Sequence, residues 1–205
     1  MSDVRIKICG VRTPEIAAAC ARAGVDMIGL NFAPASRRRI GIPRAQELAQ
    51  IFGGPVAGVF VDADILELTH FAMSVPLSYL QLHGSEPPEL CRELSTSGYS
   101  LIKALDATAP DLLDQIDAYR PHVAALLLDG SRPGSGQAFS WAGLARHIDR
   151  ARPFFLAGGL HAGNIAAAIA TLRPEGVDTA SGVETDQQID ATRIQALVTA
   201  VRCWS

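Results

Sequence analysis

Polar and reactive side chains recur in this chain at one kind of place, the end of a short apolar run. Cys9 closes Arg-Ile-Lys-Ile-Cys, Asn31 follows Met-Ile-Gly-Leu, and Asp62 follows Val-Phe-Val. Gln81 and His83 alternate in Tyr-Leu-Gln-Leu-His, Lys103 sits in Leu-Ile-Lys-Ala-Leu, and Asp129 closes Ala-Ala-Leu-Leu-Leu-Asp. Cys9 and Lys7 share a face by strand alternation, so a neighbouring ammonium could favour a thiolate; read otherwise, Cys9 is a small buried hydrophobe. Asp129 is a carboxylate at the end of a wholly apolar run, where leaving it unpaired is costly; it either has work to do or caps the next element. Lys103 is open to two readings, a Schiff-base nucleophile or the neutralising partner of buried carboxylates. His83 either stacks on a substrate or hydrogen-bonds loop backbone just before Gly84. The run Arg37-Arg38-Arg39 is either a solvated charge cluster or a carboxylate clamp.

A second chemistry is written in small residues. Phe-Phe-Leu-Ala is stopped by Gly158-Gly159, and Gly-Val-Asp-Thr-Ala by Ser181-Gly182. Two such stops on consecutive strands, each leading toward a helix start, gather unpaired N–H groups and helix dipoles around one small volume. That arrangement holds a phosphate without a basic side chain.

The elements that position these residues alternate from end to end. Candidate strands span 5–9, 27–32, 56–61, 79–83, 101–105, 124–129, 154–157 and 176–180; candidate helices span 14–23, 44–52, 65–72, 89–97, 111–119, 141–147, 164–172 and 191–201. Thr13-Pro14-Glu15 supplies a cap and a first-turn proline, and Gly24 stands where a helix ends. Eight strands in strict alternation with helices predict a single (β/α)₈ TIM barrel over residues 1–205, with eight parallel strands. In that fold catalytic groups belong at the C-terminal ends of strands, and a phosphate site follows strands 7 and 8. The clustering of polar residues at strand ends fits this rule. The loop Gly130-Ser-Arg-Pro-Gly-Ser-Gly-Gln137 is long enough to fold over a ligand.

Composition narrows the function classes. With 205 residues, 48% hydrophobic and 19% charged, the chain is a compact globular domain with a large core. A formal charge of −3 gives no bulk attraction for nucleic acid or an anionic membrane, so an anionic ligand needs a local site. No apolar run approaches the roughly 18 residues that span a bilayer, and the N-terminus lacks the order of a signal peptide; a cytoplasmic location is expected. Cys9, Cys20, Cys91 and Cys203 form no metal-ligand spacing and no disulfide framework, and the histidines are scattered, so no metal is predicted.

Taken together, these segments resemble the phosphoribosylanthranilate isomerase family of tryptophan biosynthesis. The resemblance is carried by Lys7-Ile-Cys-Gly10, Gly29-Leu-Asn-Phe-Ala-Pro-Ala-Ser-Arg-Arg38, Gly58-Val-Phe-Val61, Leu80-Gln-Leu-His-Gly84 and Leu127-Leu-Asp129. It continues through Gly134-Ser-Gly-Gln-Ala-Phe-Ser-Trp141, Leu156-Ala-Gly-Gly-Leu160 and Gly176-Val-Asp-Thr-Ala-Ser-Gly-Val-Glu184. After Glu184 the Pro-Gly-containing segment usual in the family is replaced by a shorter Thr-Asp-Gln-Gln-Ile-Asp. The resemblance implies a (β/α)₈ barrel catalysing an Amadori rearrangement of a sugar-phosphate substrate. In it Cys9 is the general base, Asp129 the general acid and Arg38 the contact to the anthranilate carboxylate. Lys7, Gln81 and His83 complete the candidate substrate-binding set, and Gly158, Gly159, Ser181 and Gly182 form the phosphate site.

That chemistry explains the pair of groups. A proton delivered to the ribose ring oxygen opens an N-glycosylamine to an iminium; removing the C2′ proton gives an enolamine, which relaxes to the ketone. Acid and base act on opposite sides of a small sugar, so residues on strands 1 and 6 suit the geometry. No redox step occurs, so no cofactor is implied; a monomer or a homodimer is compatible with the sequence. Three other readings remain at this stage. One is a Schiff-base lyase or aldolase using Lys103 or Lys7, and another a histidine-pathway or dual-pathway isomerase, which Cys9 on strand 1 argues against. The third is a non-catalytic phosphate-binding barrel.

Overall fold

The computed structural model describes residues 4–130, 141–145 and 148–204. The first β-strand, β1 (Arg5–Cys9), pairs in parallel with β2 (Met27–Asn31) on one side and β8 (Gly176–Thr179) on the other. Between them run β3 (Val56–Phe60), β4 (Tyr79–Leu82), β5 (Leu101–Asp106), β6 (Ala125–Asp129) and β7 (Phe154–Leu156), closing a barrel of eight parallel strands in sequence order. Five of the eight strands end one residue earlier than the apolar runs suggest. Phe32, Val61 and His83 already belong to the loops that follow, where the chain turns toward the next helix.

The helices follow the strands in turn: α1 (Pro14–Ala23), α2 (Ile42–Phe52), α3 (Ile65–Ser74), α4 (Pro88–Thr96), α5 (Leu112–Tyr119), α6 (Trp141–Leu144), α7 (Ile165–Leu172) and α8 (Ala191–Arg202). Thr13 accepts from the Ile16 amide and Gly24 closes α1 at φ +78°, as the caps predict. Two helices begin earlier than the sequence reading has them, because Pro43 and Pro88 serve in their first turns, where a missing N–H costs nothing. The far end of the expected helix 141–147 and the loop expected over the ligand, with Gln137, lie outside the described residues.

Alternation sorts the side chains. Met27, Ala57, Ile102, Ala104, Ala125, Leu127, Phe155 and Ala157 fill the inside of the barrel, while the larger cluster built on Ile6, Ile8, Ile28, Leu30, Leu126 and Leu128 faces the helices. The short segment after Glu184, which carried no predicted structure, forms an antiparallel hairpin of β9 (Glu184–Thr185) and β10 (Gln188–Ile189). Asp186 and Gln187 make its turn, both at positive φ.

Candidate active site

The strand ends and their loops surround one cavity of about 530 Å³. Its wall includes Cys9 at the end of β1, Asn31 ending β2, Arg38 from the loop before α2, His83 after β4 and Asp129 ending β6. Gly158 and Gly159 after β7, and Asp178, Thr179 and Ser181 at the end of β8, complete the far side. Seven of the sequence-predicted site residues, Cys9, Arg38, His83, Asp129, Gly158, Gly159 and Ser181, therefore share one volume at the C-terminal mouth of the barrel. Lys7, Gln81 and Gly182 do not line it; each touches a residue that does.

Cys9 sits in a charged surround. Lys7, fully buried one pleat below it, donates from Nζ to Asp178 Oδ1 at 2.8 Å. The register that sets Lys7 opposite Asp178 across β1 and β8 makes this pair. A Cβ on Gly29 would crowd both Cys9 Sγ (2.8 Å) and Lys7 Nζ (3.1 Å), so the bare glycine on β2 leaves the space these two groups occupy. Burial pushes the Cys9 thiol up; the Lys7 and Arg38 cations oppose this and the Asp178 carboxylate adds to it, and the net direction is upward. Lys7 is drawn down by its own burial, yet Asp178 and Cys9 more than offset this and hold it firmly as an ammonium. The expected help from Lys7 is thus present but shared with Asp178.

Asp129 is 7% exposed, and its Oδ1 accepts from the Gly130 amide at 2.8 Å. Among the described residues the His83 side chain bonds no loop backbone. Its Nδ1 pairs with Gln81 Nε2 at 3.0 Å, and its Nε2, buried and without a partner among the described residues, faces Asp129 Oδ2 at 3.6 Å.

Of the three arginines, Arg37 and Arg39 are exposed and Arg38 reaches the cavity. Arg38 Nε donates to Glu184 Oε1 at 2.8 Å, and its Nη2 is buried with no acceptor among the described residues.

After β7, Gly158 and Gly159 adopt φ of +89° and +66°, conformations that β-branched or bulky residues strongly disfavour. Among the described residues their amides meet no protein acceptor. The two helix starts expected here are weaker than anticipated. Helix α7 begins only at Ile165, and Ser181–Val183 is a single 3₁₀ turn. Gly182 is tightly placed: a Cβ there would overlap the Leu160 carbonyl, which also accepts from Thr179 Oγ1 at 2.7 Å. It packs the loop after β8 against the loop after β7.

Lys103 points the other way. Its neighbours Ile102 and Ala104 are inside the barrel, so Lys103 faces the helices. There it donates to Gly84 O (2.6 Å) and Glu86 Oε2 (2.8 Å) and stacks over Tyr119. It is the neutralising partner of a buried carboxylate. Neither lysine lines the cavity, and Lys7 is held as an ammonium, so neither is placed to form a Schiff base with a ligand there. Asp62, at φ +53°, likewise knits loops through Ser85 and Glu86 and stays off the cavity wall. Among the described residues no group of His, Cys, Asp and Glu is placed to hold a metal.

A parallel (β/α)₈ barrel whose C-terminal mouth gathers a thiol, a carboxyl, a guanidinium and a pair of open backbone amides defines a class, the barrel enzymes that move protons on phosphorylated sugars. Comparison with known proteins narrows the class. The profile of the family described as N-(5'-phosphoribosyl)anthranilate (PRA) isomerase matches residues 6–200. The N-(5'-phosphoribosyl)anthranilate isomerase of Myxococcus xanthus is 41% identical, over 98% of this chain and 97% of its own. The crystal structure of the isomerase from Thermus thermophilus superposes with a TM-score of 0.88 at 35% identity, covering 97% of this chain and 98% of its own. A further isomerase structure, in complex with reduced 1-(o-carboxyphenylamino)-1-deoxyribulose 5-phosphate, has a TM-score of 0.86 at 32% identity, covering 97% and 98%. The chain belongs to the N-(5'-phosphoribosyl)anthranilate isomerase family.

Proposed function

We propose that this chain converts N-(5-phosphoribosyl)anthranilate to 1-(2-carboxyphenylamino)-1-deoxyribulose 5-phosphate, the isomerase step of tryptophan biosynthesis, with Cys9 and Asp129 dividing the proton transfers. The observation that carries this reading is the meeting of Cys9, Asp129, Arg38 and Gly158-Gly159 on one cavity wall. A volume of about 530 Å³ suits a sugar phosphate joined to one aromatic ring.

The substrate lies with its phosphate against the amides of Gly158 and Gly159 and beside Ser181, and its anthranilate carboxylate on Arg38. Asp129 gives its proton to the ribose ring oxygen; the C1′–O bond breaks and the nitrogen lone pair forms the iminium. Cys9, as thiolate, takes the C2′ proton, and the electrons of that C–H bond neutralise the iminium to give the enolamine. Return of a proton to C1′ and loss of the enol proton give the ketone. No electrons are exchanged with a cofactor. An anionic substrate bound between Arg38 and the backbone donors is itself fixed, so the catalytic groups need only small movements.

Loss of N-(5-phosphoribosyl)anthranilate and appearance of the ketose, followed by mass spectrometry, tests the activity. Rescue of a tryptophan auxotroph lacking this isomerase tests it in the cell. Turnover with rescue is expected, and neither turnover nor rescue would overturn the reading. We place the protein in the cytoplasm; among the described residues no helix is long and apolar enough to cross a membrane. Its assembly is a monomer or a homodimer. The isomerase of Thermotoga maritima is described as dimeric, with monomers made from it, and sedimentation of this chain distinguishes the two.

A further inference from the structure

We infer that Glu184 is a positioning residue that aims the guanidinium of Arg38 at the aromatic carboxylate of the substrate, and so sets the preference for a carboxylated ring. The inference rests on the reading that Arg38 is the carboxylate contact.

Glu184 opens β9, and the pairing of Ile189 with Glu184 and of Gln188 with Thr185 fixes its backbone, together with the Asp190 amide bonded to Val183 O at 2.8 Å. Its side chain is 7% exposed, and both carboxylate oxygens are taken, Oε1 by Arg38 Nε at 2.8 Å and Oε2 by Arg37 Nη2 at 2.5 Å. Burial alone would favour the neutral acid, but the bonds from Arg38 and Arg37 outweigh it and hold the carboxyl below its ordinary range. The two arginines therefore favour Glu184 as the anion. Charge-assisted bonds of this kind are the strong ones among side chains.

The consequence is a guanidinium gripped at Nε and left with an unpaired nitrogen, among the described residues, at Nη2. Arg38 Nη2 is buried, meets no protein acceptor among the described residues, and belongs to a side chain on the cavity wall. An unpaired buried donor is costly, and an incoming carboxylate satisfies it. Two further contacts limit where Arg38 can go. Its aliphatic stem lies so close over Gly10 that a Cβ there would overlap Arg38 Cδ, and its amide donates to Ser36 Oγ at 3.1 Å. Of these supports only Glu184 grips the guanidinium itself. Arg37, the other arginine on Glu184, also donates to the Gln187 carbonyl at 2.8 Å, and so ties the arginine loop to the hairpin.

The test uses two binding probes in calorimetry, reduced 1-(o-carboxyphenylamino)-1-deoxyribulose 5-phosphate and its phenylamino counterpart without the carboxyl. Glu184→Ala is expected to weaken the carboxylated probe about tenfold and the other less than twofold. Arg38→Ala should discriminate at least as strongly, and the double variant should be no weaker than Arg38→Ala, because Glu184 acts only through Arg38. Glu184→Gln keeps one acceptor for Nε and should lose about threefold in selectivity; it carries the test if Glu184→Ala does not fold. If Arg38→Ala separates the probes and the Glu184 variants leave the selectivity at the parental value, Glu184 is a loop support only and the inference fails. If Arg38→Ala itself weakens both probes alike, it is the carboxylate reading of Arg38 that fails.

Discussion

His83 Nε2 stands 3.6 Å from Asp129 Oδ2 and has no nearer partner among the described residues. Gln81 Nε2 donates to Nδ1 at 3.0 Å, which leaves the ring proton on Nε2, aimed at the carboxyl. Asp129 Oδ1 is already held by the Gly130 amide, so an approach of a few tenths of an ångström by the imidazole would fix the carboxyl plane at both oxygens. His83→Ala should lower kcat about tenfold and change KM less than threefold, and His83→Gln should recover part of the loss. Steady-state kinetics decide it: a loss confined to KM would make His83 a binding group and leave Asp129 oriented by other means.

Much of this arrangement was legible in the chain. The period of two within each strand puts Cys9, Asn31 and Asp129 at strand ends, and barrel closure then brings residues as distant in sequence as Cys9 and Ser181 to one cavity. What escaped was whatever depends on pairing between strands or on loop shape. Asp178 could have been found, since an aspartate inside a strand signals a buried partner and Lys7 lies opposite it in register. Lys103 stood open between two readings in the sequence, and the face on which it lies decides for the partner of a buried carboxylate. The close approach of Gly182 to the Leu160 carbonyl is a fact of two loops meeting, which no single strand announces. Glu184 stood in the motif and gave no sign of its partners, because the hairpin that turns it toward Arg38 carries none of the usual turn glycines.

The Lys7–Asp178 pair should govern how readily Cys9 ionises. In the parent, burial first and the Asp178 charge next push the thiol above its ordinary range, against the pull of Lys7 and Arg38. Because the thiolate is the working form and burial pushes the thiol upward, its ionisation sets the alkaline limb of the kcat/KM profile. Asp178→Asn removes one raising charge and frees Lys7 for Cys9, so the limb should move toward lower pH. Lys7→Met should move it higher. Rates of thiol alkylation measured against pH follow the same group without turnover, and a limb unmoved in both variants would dissociate this pair from Cys9.

The anion end makes a prediction of its own. Ser181→Asp adds a charge beside the open amides of Gly158 and Gly159 and should raise KM by at least about tenfold, with kcat nearly unchanged. Gly159→Val, at φ +66°, should do the same through a displaced backbone. Gly182→Val is expected to damage the fold itself, since its side chain has no room against Leu160. Thermal melts separate the two behaviours, and inorganic phosphate binding parent and Ser181→Asp equally would move the site elsewhere.

The division of labour between Cys9 and Asp129 is tested most directly by the pH dependence of kcat/KM in the parent, Cys9→Ala, Cys9→Ser and Asp129→Asn. Each group serves a different bond, so each variant should lose roughly 10²–10⁴-fold in kcat with modest change in KM. Serine should fail nearly as badly as alanine, because its hydroxyl yields no anion near neutral pH. The parent profile should be bell-shaped, and the limb belonging to the thiol should be absent from whatever activity Cys9→Ala retains. Near-parental kcat in Cys9→Ala or Cys9→Ser, with both limbs in place, would contradict the account and return the base to another group on the cavity wall, His83 first.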